Sequence, residues 1–248
     1  MYAPNTLVLA QLCTSRGYRT RIKQKLEDGD RIILDNGAHE GIDIDLNEYK
    51  QIALDLLPSV VVLTDLVGRS NLDSRKQSLE FIRRLSVDDS EKFMRAGTKF
   101  MYVPQGQTKD QVLYDYAWAL DNLSSEQYVI GLGQGYLCWV DADHDANDET
   151  TRAPMIEQVM EKAHGYPHEF HVLGARWAAG GCDYSIYENI TGIDSIKPCT
   201  CASFGLTYPQ RPPKGQRSVD RMSAPAVDEK LLLANVEAFC LEYKCTDE

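Results

Sequence analysis

The sequence predicts an α/β fold with a parallel sheet, closed as a (β/α)8 TIM barrel in a single domain over residues 1–248. Three observations carry that expectation. Short, β-branched apolar runs recur along the chain, and most are followed by a polar stretch and then by a segment with helical spacing. The runs are nearly continuous in apolar residues, the mark of strands buried on both faces in a parallel sheet. The length of 248 residues matches one barrel of ~250 residues.

The expected strands follow in order. They cover residues 6–12 (TLVLAQL), 31–35 (RIILD), 60–65 (VVVLTD), 99–105 (KFMYVPQ), 128–134 (YVIGLGQ), 169–174 (EFHVLG) and 192–197 (GIDSIK). Helical periodicity falls on 46–57, 74–85, 109–120, 153–163 and 228–243, the last with Asp228 as N-cap. A short eighth strand falls at 201–206; without it, a doubly wound open sheet is the alternative. Residues 208–225 are rich in Pro and basic side chains and read as a long loop.

Composition excludes several classes. With 43% apolar and 25% charged residues the chain is not intrinsically disordered. No apolar run approaches the ~18 residues of a membrane span. The start of the chain has no basic leader or small-residue cleavage site, and the seven cysteines are odd in number and dispersed. Reduced thiols and a cytoplasmic location are therefore expected, with no membrane partner. A net charge of −11 argues against a general polyanion binder. Basic residues nevertheless cluster twice, as Arg16, Arg19, Arg21, Lys23 and Lys25 after the first strand and as Arg211, Lys214, Arg217 and Arg221 in the Pro-rich loop. Both loops are expected at the barrel mouth, where Arg16, Arg19, Arg211, Lys214 and Arg217 would hold phosphates. Either cluster alone reads equally as a solvated charge run. Tyr136, Trp139 and Trp177 would stack on bases or pack in the core.

What ends each strand is the informative feature. Asp35-Asn36-Gly37 ends the second, Asp65 the third, Gln105-Gly106 the fourth and Gly133-Gln134-Gly135 the fifth; Asp194 and Lys197 lie in the seventh. In parallel α/β folds these carboxyl ends converge on one mouth. An unpaired buried carboxylate is costly. Several acidic and amide groups at one mouth point to a polar pocket for a flat, hydrogen-bonding ligand, although any one Asp reads as a cap or turn residue.

These segments resemble, in order, those of the tRNA-guanine transglycosylase superfamily. Asp35-Asn36-Gly37-Ala38-His39-Glu40 is similar to its DSGGFQ, VVVLTDL to the strand with its base-reading Asp, YVPQGQ to IVQGG, YVIGLGQG to its GG-containing strand, EFHVLGA to YLMGVG and GIDSIKP to GVDMFDC. The branch that places 7-deazaguanines in phage and bacterial DNA is the closer match. The resemblance implies base exchange on an unbroken strand. The substrate would be single-stranded or locally opened DNA and the entering group a 7-deazaguanine such as preQ0; a homodimer is compatible with it. Asp35 would be the general acid/base, and Asn36, Asp65, Gln105, Gly133 and Gln134 would read the base. Asp194 would be the nucleophile attacking C1′. A gap-free match instead sets Lys197 against the family's nucleophile, so either the nucleophile has moved or the register differs.

No cofactor is required by this chemistry. The tRNA enzymes carry a C-x-C-x-x-C…H zinc site, of which only Cys199-Thr200-Cys201 occurs here. Cys199 and Cys201 are weak zinc candidates, and reduced structural thiols are the competing reading. The acidic stretch 141–149 lacks the Gly and Glu of a calcium loop. His164, His168 and His171 precede or begin the sixth strand, which places most of them at the barrel bottom, and they read as surface or structural residues. An RNA-acting exchanger, a glycoside hydrolase with paired carboxylates and a non-catalytic DNA binder remain the alternatives.

Overall fold

The computed structural model describes residues 5–38, 44–133, 152–174, 186–194, 201, 205–207, 210 and 229–242. Seven strands form one all-parallel sheet in strictly sequential order: β1 (Asn5–Leu9), β2 (Arg31–Asp35), β3 (Val60–Val62), β4 (Lys99–Tyr102), β5 (Tyr128–Leu132), β6 (Glu169–Val172) and β7 (Ile190–Ile193). The helices between them are α1 (Arg16–Glu27), α2 (Leu46–Leu56), α3 (Asn71–Arg83), α4 (Val87–Ala96), α5 (Lys109–Asn122) and α6 (Ala153–Lys162); α7 (Glu229–Glu242) follows the sheet. The connecting helices described all pack on the same face of the sheet, as crossovers of one hand between consecutive neighbours require. A doubly wound sheet needs a reversal of strand order, and the observed order has none. The sheet curls into an open half-barrel. Among the described residues β7 and β1 are not paired, and no helix is long and apolar enough to cross a membrane.

The two faces carry separate cores. Against the helices pack Ile32, Leu34, Val61, Leu63, Tyr102, Ile130, Leu132, Phe170 and Val172, with Tyr49, Phe81, Phe93, Val112 and Tyr116 from the helices. Phe100 stands at the centre of an aromatic group, its ring 5.4 Å from Phe93, 6.0 Å from Tyr128 and 6.2 Å from Phe81. The concave face holds a smaller cluster of Ile33, Val60, Val62, Met101, Val103 and Val129. Strand alternation produces this division, because residues two apart share a face. Each buried Val, Ile or Met side chain contributes roughly 1.5–3 kcal/mol over exposure.

At the amino-end rim of the concave face the alternation places charge. Lys99 Nζ lies 2.7 Å and Arg31 Nη2 3.2 Å from Glu169, and Thr191 Oγ1 donates to the same carboxylate at 3.3 Å. Burial pushes Glu169 up, but Lys99 and Arg31 outweigh it and hold the carboxyl below its usual range. One layer above, Gly131 and Gly133 of the β5 region leave room for β4. A Cβ on Gly133 would lie 2.7 Å from Val103 Cγ1, and one on Gly131 2.9 Å from Val103 Cγ2.

Several local expectations change. The first strand stops at Leu9, and Ala10–Thr14 forms a 3-10 helix. Residues 16–25 are helical, where a basic loop was expected. α1 is so polar that only Tyr18, Ile22 and Leu26, spaced by four, face the core. Its Arg19 and Lys23 pair with Asp55 of α2 at 3.3 and 2.9 Å, so they form a helix–helix contact on the outer layer; Arg16, exposed, opens the helix. α4 was not expected at all. A capping box of Ser86 and Asp89 starts it, Gly97 at φ 71° ends it, and Phe93 alone among its residues is buried. The seventh strand begins at Ile190 rather than 192. The short strand expected at 201–206 is not present at the described positions: Cys201 is helical, and the Leu206 N–H donates to its carbonyl at 2.9 Å beside Gly205 at φ 66°, a helix-ending pattern.

Packing of Val103 over the β5 glycines generates a test. Gly133→Ala should destabilise the fold by about 1–3 kcal/mol through overpacking, and Val103→Ala in the same chain should recover part of that loss. Urea unfolding of the two single variants and the double variant measures the coupling; strictly additive losses would remove the packing role given to Gly133.

Candidate functional site

The carboxyl ends of β2, β3 and β4 bring Asn36, Asp65 and Gln105 into one hydrogen-bonded row. Gln105 Nε2 donates to Asp65 Oδ2 at 2.6 Å, and Asn36 Nδ2 lies 3.4 Å from Asp65 Oδ1. Asn36 and Gln105 are 2% and 3% exposed. Asn36 is spent on the protein: its Nδ2 also donates to the Leu63 carbonyl at 2.9 Å, and its Oδ1 accepts the Ala38 N–H at 2.6 Å. It therefore orients Asp65. Desolvation pushes the Asp65 carboxyl up to about 6, with the Gln105 and Asn36 amides pulling the other way. Asp35, last residue of β2, shares the concave face with Ile33, and its Oδ1 lies 3.4 Å from the Gly37 N–H.

Two helices hold this row. In α3, Ser78 Oγ donates to the Thr64 carbonyl at 2.8 Å and Ser74 Oγ accepts the Leu66 N–H at 3.1 Å, so the backbone is fixed on both sides of Asp65. Asp115 of α5 is fully buried. Its Oδ2 accepts the Gln105 N–H at 3.2 Å and the Tyr102 hydroxyl at 2.8 Å; its Oδ1 accepts from Arg75 Nε of α3 at 3.0 Å. Burial pushes the Asp115 carboxyl up, against the pull of Arg75 and Tyr102. The Arg75 guanidinium lies 3.9 Å from the centre of the Trp118 ring. Gly106 completes the bend, since a Cβ there would meet the Val112 backbone nitrogen at 2.8 Å.

A second group stands at the same carboxyl-end rim, with β5 between it and the first. A bulge shifts the β6–β7 register between Phe170 and His171, so that Phe170 faces Ile190 while His171 faces Gly192. Ile190 and Ile193 thereby both pack on the helix-side core, and Asp194 turns toward the concave face. Its Oδ1 lies 3.1 Å from His171 Nε2, and the Gly174 N–H reaches Oδ1 and Oδ2 at 3.2 and 3.1 Å. Gly174 has φ 59°, a conformation that favours glycine. Its carbonyl accepts from Arg152 Nη2 at 3.2 Å, and Arg152 is 1% exposed.

The structure thus joins Asn36, Asp65 and Gln105, and places Asp35, on the concave face, and Asp194 at the same rim. Gly133 lies at that rim too, its side-chain space taken by Val103. Gln134, Lys197, Arg211, Lys214, Arg217, Arg221 and Cys199 lie outside the described residues, as do Tyr136, Trp139, Trp177 and the acidic stretch 141–149. Cys201 is buried, with its Sγ 3.2 Å from the Gln210 carbonyl. Among the described residues no three His, Cys, Asp or Glu side chains group as a metal site. Of the histidines, His164 is exposed, and His168 Nε2 bonds the Leu123 carbonyl at 2.8 Å in a structural role. His171 departs from expectation, because β6 carries it into the interior beside Asp194. Sequence reasoning also passed over Asp115, Arg75 and Arg152. Asp115 carried a signal, since a carboxylate on the buried face of an amphipathic helix needs a partner.

Two expected outcomes follow. Asp115→Ala should cost about 3–5 kcal/mol, because Arg75 and the Gln105 N–H lose a buried partner; urea unfolding reads the loss, and a cost below about 1 kcal/mol would show the network to be idle. Asp65 has a folded pKa above its unfolded value, so its contribution to stability is full below about pH 4 and lost as pH rises through about 6. Asp65→Asn should therefore gain on the wild type by up to about 2 kcal/mol between pH 4.5 and pH 7.5. A difference independent of pH would remove burial as the cause.

No protein-family model and no curated protein matches this sequence, so the function has to be read from the groups at this rim.

Proposed function

We propose that the chain is a base-exchange transglycosylase that replaces guanine in DNA with a 7-deazaguanine through a covalent Asp194–C1′ intermediate. This reading takes the curled sheet as a (β/α)8 barrel of the tRNA-guanine transglycosylase type. One observation carries it: an ionisable carboxyl, Asp65, clamped between two amides at the rim, with a second carboxylate, Asp194, held separately at the same rim.

Guanine offers two adjacent donors, N1–H and the 2-amino group. An ionised carboxylate only accepts, so Asp65, already bonded by Gln105 and Asn36, meets that edge with its remaining acceptor capacity. In the first step an Asp194 oxygen forms a bond to C1′ while the C1′–N9 bond breaks, and Asp35 gives a proton to the departing base. In the second step the entering base loses a proton to Asp35, its N9 bonds to C1′, and the bond from C1′ to Asp194 breaks. The strand stays intact throughout. Flipping the base into the site costs least in single-stranded or locally opened DNA.

Paired carboxylates also suit a glycoside hydrolase. The amides flanking Asp65 favour a base, since hydrolysis of a sugar has no need of a planar donor-and-acceptor row.

The test supplies radiolabelled guanine or a 7-deazaguanine to the full-length chain with single-stranded DNA and, separately, tRNA. Label should enter DNA without strand cleavage, and Asp35→Asn and Asp194→Asn should each lower incorporation at least about 10²-fold. Labelling of tRNA in preference to DNA would move the proposal to RNA. Abasic sites or released sugar would replace it with a hydrolase, and absence of any product with either polymer would sink it.

A further inference from the structure

Asp194 and His171 form a pair whose exposure is the reverse of a Ser–His–Asp relay. In that relay the carboxylate is buried and serves an accessible imidazole. Here the His171 side chain is 1% exposed and that of Asp194 18%. The carboxylate therefore faces the open side, and the imidazole stands behind it. A carboxylate only accepts, so Nε2 must carry the proton across the 3.1 Å contact. Asp194 receives a second donor from the Gly174 N–H, and the buried Arg152 holds the next peptide of the chain through the Gly174 carbonyl. His171 stands opposite Gly131 in the β5–β6 register, and a buried imidazole needs a polar partner, which Asp194 supplies.

We propose that His171 is the positioning residue of the Asp194 nucleophile, aligning the carboxylate for attack and taking up its charge again when the glycosyl ester breaks. This rests on the base-exchange reading above. When the ester forms, Asp194 gives an electron pair to C1′ and its negative charge disappears. When the entering base displaces it, the C1′–O bond breaks and the electron pair returns to the carboxylate. A donor fixed on Oδ1 helps the step in which charge grows, and stabilises the starting carboxylate in the step in which charge is lost. Loss of the donor therefore slows release of the strand more than its capture.

His171→Met keeps the volume and removes the donor; His171→Gln can set an amide N–H where Nε2 stood. The full-length chain is given single-stranded DNA and radiolabelled guanine, or tRNA if that is the polymer the wild type labels. Exchange and the protein–nucleic acid adduct on denaturing gels are read together, with thermal unfolding of each variant as a check on folding. His171→Met should lower exchange about 10²-fold while the adduct persists, and His171→Gln should recover most of the rate. Wild-type exchange by His171→Met would overturn the inference and leave the base-exchange reading standing. So would equal losses in both variants without adduct, which mark a purely structural histidine. A wild-type chain that exchanges no base on either polymer overturns both.

Discussion

Seven parallel strands that neighbour one another in chain order leave the chain little choice, because crossovers between parallel strands share one hand. Every connecting helix lands on one face, and the other face can escape water only by curling on itself. The same constraint sends all seven carboxyl ends to one rim. Residues far apart in sequence, such as Asn36, Asp65, Gln105 and Asp194, come to one side because of handedness and parallel pairing, before any side chain makes a contact. The interior then has to be thin enough to curl. Gly131 and Gly133 let Val103 lie across β5 at distances a methyl group would forbid, so these glycines serve the curvature of the sheet.

The two groups at the rim are built by different means. The row around Asp65 is held by side chains of the helix layer: Ser74 and Ser78 grip the strand end, and Asp115 ties the Gln105 backbone to Arg75. Because α3 contributes to both, the ends of β3 and β4 are fixed relative to each other through one helix. Asp194 depends on the sheet itself: a bulge turns it inward, a left-handed glycine presents an N–H that binds it, and His171 of β6 meets its Oδ1. Substitution in the helix layer should thus disturb the first group while sparing the second.

How much of this was legible follows from what each feature leaves in a sequence. Continuous apolar runs such as VVV at 60–62 and YVIGL at 128–132 revealed the strands, because burial on both faces removes polar alternation. Asp35, Asn36, Asp65 and Gln105 stood out because polar groups closing apolar strands need an explanation. α1 was hidden by its polarity and α4 by its single buried anchor, Phe93. Asp194 was legible as a candidate nucleophile, but the choice between it and Lys197 was not. Counting by twos along β7 assumes strict alternation, and the bulge breaks it. His171 was read as surface or structural because the histidines precede or begin the sixth strand, whereas parity with Glu169 on β6 sets it on the concave face, and its imidazole reaches Asp194.

The protonation of Asp65 ties construction to chemistry. Two amide donors on a carboxylate ordinarily hold its pKa down, yet here desolvation outweighs them and the group titrates near 6. The balance depends on how the donors are placed. The Asn36 contact is long at 3.4 Å and shares its nitrogen with the Leu63 carbonyl, while the Gln105 contact is short at 2.6 Å. A base presenting two donors requires both oxygens as acceptors, so it would bind the ionised form and draw the pKa back down. On the base-exchange proposal, recognition and proton loss at Asp65 would be one event, with the desolvation that raises its pKa in the free protein offset when donors from a base arrive.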